Sequence, residues 1–307
     1  MPTLKELSSR PERFVSGHRL CPGCGAGIVA RQVMLAINKP VVVGCATGCL
    51  EVSSTIFPYS AWKTPWVHSA FENAAATISG AVAAYQSLKK QGRISQEAVF
   101  VAFGGDGGTY DIGLQSLSGA AERGHRMLYI CYDNQAYMNT GIQRSSATPL
   151  GAHTTTSPAG RVLPGKLQHS KDLPAIMVAH GIPYVATAVP GRWNDLVTKV
   201  DKAVNCGGFA FMDILSPCRL GWPHEPALTM EITRLAVETC IWPLYEVVEG
   251  KYRLTYRPKE KKPVTEWLKL QRRFSHLFKP ENASLLEEFQ KSIDRGWEQL
   301  LKKCESA

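Results

Sequence analysis

The stretch Ala98-Val99-Phe100-Val101-Ala102-Phe103-Gly104-Gly105-Asp106-Gly107-Gly108-Thr109 decides the architecture. Its first six residues are a short apolar run that reads as a strand. It ends in glycines with an acid among them, and a helix begins near Asp111. Glycines let a backbone approach a ligand closely, amide groups at a helix start favour a phosphate, and an acidic side chain beside them can hold Mg²⁺ against the phosphate charge. Such turns are also common packing devices, so the triplet alone does not decide function. The next strand, Met127 to Tyr132, runs into Asp133-Asn134, with 26 residues between Gly107 and Asn134. One βαβ crossover fits that spacing, and it sets Asp106 and Asn134 at the same end of neighbouring strands, within reach of one hard cation.

The same alternation extends outward on both sides. Val41 to Gly44, Tyr184 to Ala188 and Phe209 to Leu215 read as further strands. Gly25 to Ile37, Glu72 to Gln91, Gly113 to Arg123, Leu173 to His180 and Arg192 to Val204 read as helices. The expected fold is therefore α/β, a mostly parallel sheet with helices on both faces and a C-terminal helical tail. Ligands in such folds bind beyond the carboxyl ends of strands. Loops follow strands there at Cys45 to Cys49, Gly104 to Thr109 and Asp133 to Gly141. Gln143 to Leu173 has little periodicity and is expected to cover a site or an interface.

With 307 residues, 44% of them hydrophobic, the chain can bury a substantial core, which excludes disorder. No apolar run approaches the length of a membrane span, and the N-terminus lacks a signal-peptide apolar region, so a cytoplasmic protein is expected. The formal charge is +9. About two thirds of that excess lies in residues 251–307, which hold 14 Lys and Arg against 8 Asp and Glu. Residues 1–250 are therefore expected to be the ligand-binding domain and 251–307 a basic C-terminal extension. Its aromatics Trp267, Phe274 and Phe278 among basic residues raise nucleic-acid binding, but no helix-turn-helix, RNA-recognition or zinc-finger pattern accompanies them. The preferred reading is an amphipathic segment whose apolar face docks on a subunit. Nine cysteines, an odd count, argue against a disulfide framework and for a metal or redox role for some.

Gly105-Asp106-Gly107 followed by Asn134 at the end of the next strand resembles the thiamine diphosphate (TPP) fingerprint. The resemblance implies that Asp106, the Asn134 side chain and the Ala136 carbonyl are Mg²⁺ ligands. It also implies that Asn139 and Thr140 reach the thiazolium and substrate end.

Cys21-Pro22-Gly23-Cys24 leads into a helix and has three candidate meanings: a dithiol redox pair, half of a zinc site or half of an iron–sulfur site. Cys49 and Cys218 both follow strands, at the sheet end that carries the TPP loops. Cys45, Cys131, Cys206, Cys240 and Cys304 lack such a setting and read as buried structural thiols. Taken with Gly17-His18-Arg19-Leu20 before Cys21, Ala46-Thr47-Gly48-Cys49-Leu50-Glu51-Val52, Phe71-Glu72-Asn73-Ala74-Ala75 and Ala136-Tyr137-Met138-Asn139-Thr140-Gly141, these motifs resemble the β subunit of pyruvate:ferredoxin oxidoreductases over roughly residues 10 to 250. The resemblance implies a [4Fe–4S] cluster on Cys21, Cys24, Cys49 and Cys218. It implies a TPP site contacted by Thr47, Cys49, Gly105, Asp106, Gly107, Asn134, Ala136, Met138 and Asn139, with Asn139 nearest the chemistry. Cys45 departs from the small residue expected there and reads as a packed thiol.

TPP chemistry needs a carboxylate on the aminopyrimidine. Neither Glu51 nor Glu72 is an evident candidate, and the resemblance implies that a separate α chain supplies that Glu. Further implied partners are γ and δ ferredoxin-like subunits, ferredoxin, and coenzyme A for pyruvate as substrate, with no nucleic acid and no membrane. Oxalate oxidation without coenzyme A is an alternative within the family. A zinc-stabilised, non-catalytic interaction module is the alternative of another class.

Overall fold

A computed structural model describes residues 2–305. One eight-stranded sheet organises the chain in the order β2-β1-β3-β4-β6-β5-β7-β8. The strands are β1 (Val41–Ala46), β2 (Trp66–Ser69), β3 (Val99–Gly105), β4 (Met127–Asp133), β5 (Tyr184–Ala188), β6 (Phe209–Leu215), β7 (Tyr245–Val248) and β8 (Lys251–Leu254). The first six run parallel, and β7 and β8 close one edge antiparallel. The five strands read from sequence are all present. The four-residue strands β2, β7 and β8 escaped that reading because their apolar runs are too short to register.

The first helices are α1 (Leu4–Ser9), α2 (Gly25–Ala36), α3 (Cys49–Ser54), α4 (Ala74–Lys90) and α5 (Leu114–Arg123). They are followed by α6 (Leu173–Ala179), α7 (Trp193–Asn205), α8 (Thr229–Glu238), α9 (Thr265–Lys269) and α10 (Ala283–Glu305). Alternation along the strands divides the core. Val101 and Phe103 of β3 join the layer of Val29, Val33, Leu196 and Val200 from α2 and α7. Phe100 and Ala102 join the layer of Ile78, Val82, Leu117 and Met177 from α4, α5 and α6. Central strands covered on both faces are largely apolar, which is why they were legible.

A third apolar cluster lies beyond the sheet end. There Trp222, Ile232 and Leu235 pack on Val264, Trp267, Leu268, Phe274, Leu277 and Phe289. The boundary expected at residue 250 falls within the β7–β8 hairpin. The apolar residues that the sequence offered to another subunit are buried in their own chain instead, since a single chain can close this core without help. Only Phe278 stays partly exposed. The charges of the segment lie outside, with pairs such as Lys291–Glu287 and Arg295–Glu288, both 2.6 Å, along α10. Among the described residues no helix is long and apolar enough to cross a membrane.

Candidate active site

Loops leave the carboxyl ends of four spatially consecutive strands, β1, β3, β4 and β6, so segments distant in sequence meet at one end of the sheet. All nine residues named from sequence as cofactor contacts line a single cleft there, with Phe71, Tyr132 and Tyr137 as its aromatic walls. The chain leaves β3 into a π-helical turn, Gly107–Ile112, of the kind often found at functional sites. Two glycines are sterically required in it. A Cβ on Gly107 would lie 2.5 Å from the Tyr137 ring, and one on Gly108 2.7 Å from the Phe71 carbonyl.

Asp106 is fully buried. Its Oδ2 accepts the Ser145 hydroxyl at 2.5 Å, and its Oδ1 accepts the Asn134 backbone N–H at 3.2 Å. Burial, and then the charge of Asp133, push its carboxyl well up, and the Ser145 bond offsets part of this. A cation beside it would favour the ionised form. One end of the Asn134 side-chain amide lies 3.0 Å from Asp106 Oδ1 and 2.8 Å from the Ala136 carbonyl oxygen. With nitrogen turned inward the amide donates to both. With oxygen turned inward, it stands from each of the other two oxygens by close to the edge of a Mg²⁺ octahedron, about 2.9 Å for Mg–O bonds of about 2.05 Å. The three groups thus fit a magnesium ion.

Between Asn134 and Ala136, Gln135 takes a left-handed backbone, φ 64°. Its N–H donates to Asp133 Oδ1 at 2.8 Å and its carbonyl accepts the Thr148 hydroxyl at 2.7 Å. Ser145 and Thr148 belong to the aperiodic segment after residue 142, which packs behind the loop from Asn134 to Ala136. That lack of periodicity was the only sequence signal for them. Thr47 Oγ1 lies 2.8 Å from His68 Nε2, so His68 orients a cleft residue rather than lining the cleft.

The Cys21–Cys24 turn is tied to the loop carrying Cys218. The Gly25 N–H donates to the Pro217 carbonyl at 3.0 Å, and Thr229 Oγ1 donates to the Gly23 carbonyl at 2.7 Å. The Gly221 N–H points at Cys218 Sγ, 3.4 Å away. Burial pushes the Cys24, Cys49 and Cys218 thiols up, Cys49 to about 12, and the neighbouring thiols of the set of four add to the shift in each case. Cys24, Cys49 and Cys218 would be held as thiolates only by a cationic centre among them. Among the described residues no three His, Cys, Asp or Glu side chains converge on one ion. Cys49 also lines the cleft, and a side chain on Gly221 would collide with the Met138 sulfur, so the cysteine set adjoins the TPP loops. Cys45 is wholly buried in β1, and Cys131 and Cys240 are buried too. Cys206 and Cys304 are only half-buried, contrary to their reading as core thiols, because each sits at or near a helix end.

Among the described residues no glutamate lines the cleft. Its rim at Asn139 and Thr140 is exposed.

A parallel sheet with glycine, acid and asparagine loops at its carboxyl end defines a TPP-binding domain, and residues 43–214 match the family described as thiamine pyrophosphate enzyme, C-terminal TPP binding domain. Within that class, the chain is 51% identical over 303 residues to pyruvate synthase subunit PorB of Thermotoga maritima, covering 97% of this chain and 94% of that one. It is 53% identical over 287 residues to the PorB subunit of Methanocaldococcus jannaschii, covering 93% and 95%. To ketoisovalerate oxidoreductase subunit VorB of Pyrococcus abyssi it is 43% identical over 296 residues, covering 96% and 94%. The chain belongs to the β-subunit family of the pyruvate:ferredoxin oxidoreductases. Its fold is shared by a 2-oxoglutarate:ferredoxin oxidoreductase from Magnetococcus marinus, at a TM-score of 0.56 and 22% identity over 73% of this chain and 79% of that one.

Proposed function

We propose that this chain is the half of a cytoplasmic pyruvate:ferredoxin oxidoreductase that holds the TPP diphosphate and the first electron acceptor. The observation that carries the reading is the convergence of Asp106, the Asn134 amide and the Ala136 carbonyl in one cleft with Cys49, beside the loop that bears Cys218. Asp106, Asn134 and Ala136 hold Mg²⁺ against the diphosphate, and the Gly105 to Gly107 backbone gives the phosphates a close approach. Cys21, Cys24, Cys49 and Cys218 hold a [4Fe–4S] cluster. Asn139, on the exposed rim, faces the reacting end of the cofactor. When bound, TPP supplies the electron sink for decarboxylation and the cluster a one-electron acceptor beside it, so that pyruvate and coenzyme A yield acetyl-CoA, CO₂ and two electrons for ferredoxin.

In this reading a partner α chain supplies the aminopyrimidine carboxylate, and electrons leave through γ and δ subunits; a cleft without a glutamate among its described lining residues is in keeping with it. Identities of 51–53% to pyruvate synthase subunits favour pyruvate. The VorB relative makes 2-oxoisovalerate the second reading.

The test is anaerobic co-purification with the partner chains, followed by viologen reduction with pyruvate, 2-oxoisovalerate and oxalate, with and without coenzyme A. Pyruvate turnover that requires coenzyme A supports the reading. Purified alone, the chain should be brown, with about four irons. A colourless chain with stoichiometric zinc sinks the cluster assignment, and a Cys218→Ser variant with an intact, conducting cluster sinks the fourth ligand.

A further inference from the structure

Arg273, in the C-terminal segment that fold recognition left without a role, is 4% exposed although it carries a charge. No carboxylate hydrogen-bonds it. Its guanidinium lies 4.0 Å from the centre of the Trp222 ring and 4.8 Å from that of Phe274. Its Nη2 donates to Gln135 Oε1 at 2.5 Å and to Gln271 Oε1 at 2.8 Å, and its Nε donates to the same Gln271 oxygen at 3.0 Å. Burying a cation is costly, and the fold compensates with aromatic faces and amide oxygens rather than a paired charge.

Two of the groups it touches, Gln135 and Trp222, act on the segment from Asn134 to Ala136. Gln135 is the left-handed residue between Asn134 and Ala136, a conformation that costs a non-glycine residue of the order of 1 kcal/mol unless its surroundings hold it. Trp222 Nε1 donates to the Asn134 carbonyl at 2.7 Å, and the Trp222 N–H donates to the Cys218 carbonyl at 2.8 Å. A single guanidinium therefore clamps the turn that presents two of the three metal oxygens to the loop that carries a cluster cysteine.

We propose that Arg273 is a positioning residue that holds Gln135 left-handed and so keeps the Asn134 side chain and the Ala136 carbonyl turned towards one cation. The inference rests on the reading of Asp106, Asn134 and Ala136 as Mg²⁺ ligands. Lysine cannot replace it, because a point charge on a flexible stem cannot keep a planar stack on Trp222 and a fork to two glutamines together.

The experiment uses the assembled oxidoreductase stripped of TPP and Mg²⁺, with TPP binding followed by tryptophan fluorescence as Mg²⁺ is added. Arg273→Lys should raise the Mg²⁺ half-saturation roughly tenfold, the scale of losing one charge-assisted hydrogen bond. Gln135→Ala should do the same, and the double variant should be little worse than either single one, because both break one linkage. Should Arg273→Lys fail to assemble, Gln135→Ala with Arg273 intact carries the test. A lowered melting temperature with unchanged half-saturation in either variant, or effects that multiply in the double variant, overturns the proposal. Wild-type complex that fails to bind TPP with Mg²⁺ overturns the underlying reading, and no variant is needed to see it.

Discussion

Replacing Gly25 by alanine strikes the contact that joins the two cysteine-bearing loops. A Cβ at Gly25 would lie 2.8 Å from Pro217 N and from Ser216 C, and 2.9 Å from Ser216 Oγ. Ordinary contact begins near 3.4 Å, so backbone must retreat by about 0.6 Å. Neither side yields cheaply. The turn is also pinned at Gly23, where a Cβ would lie 2.8 Å from Pro226, and the other side continues from β6 straight into Cys218. Overpacking of this kind costs about 1–3 kcal/mol, and weakening the 3.0 Å Gly25–Pro217 hydrogen bond adds about 1 kcal/mol. The total, about 2–4 kcal/mol, lies below the usual stability of a domain, so the variant should fold, with a lower melting temperature. Cys24 and Cys218 would be pushed apart, and iron and acid-labile sulfide per chain, measured after anaerobic purification, should fall below half of wild type. Gly27→Ala is the control. Its Cβ would meet the end of the Leu20 side chain at 2.9 Å, which can rotate away, so iron should be retained. Full iron in Gly25→Ala, or equal loss in Gly27→Ala, would refute the claim that this backbone contact sets the cysteine geometry.

Three other perturbations test separate parts of the structure. Ser145→Ala removes the hydroxyl bound to Asp106 Oδ2 and should weaken Mg²⁺-dependent TPP binding roughly tenfold in the same fluorescence titration; unchanged binding would count against Ser145 as a support of the metal site. Lys199 is buried between Asp195, at 2.7 Å, and the Thr187 carbonyl, and burial pushes its ammonium down to about 8. The unfolded chain then holds the extra proton between pH of about 8 and the usual lysine value near 10.4, so this group makes stability rise with pH across that window. Lys199→Met should remove that rise, by up to about 1 kcal/mol per pH unit, and denaturant midpoints that still climb equally would show another group responsible. Gly296, exposed within α10 with nothing within 4 Å of a built Cβ, should gain about 1 kcal/mol as alanine, read as a higher denaturation midpoint; a loss would mean that this face is covered.

The central strands were legible because covering on both faces makes Met127 to Tyr132 apolar throughout and Phe209 to Leu215 apolar but for the buried Asp213. The gathering of the candidate site residues in one cleft was legible because they lie in local strings that follow such strands. What escaped has no local signature. Ser145, Thr148 and Gln135 are ordinary polar residues whose importance comes from the atoms they touch, and Trp222 and Arg273 look from sequence like a surface aromatic and one of many basic residues. The C-terminal segment reads from sequence as amphipathic, but its apolar face closes on its own chain rather than on a subunit, with Trp267 and Phe274 fully buried and the lysines outside.

The chain by itself determined at which end of the sheet the candidate site residues stand, because strand direction and the βαβ hand follow from local pattern and backbone chirality. Only the tertiary structure decided that Cys24 faces the Cys218 loop through Gly25, and that Arg273 lies behind Asn134. Those are contacts between segments more than 100 residues apart, set by close packing and the need to satisfy buried polar groups, and no periodicity along the chain records them.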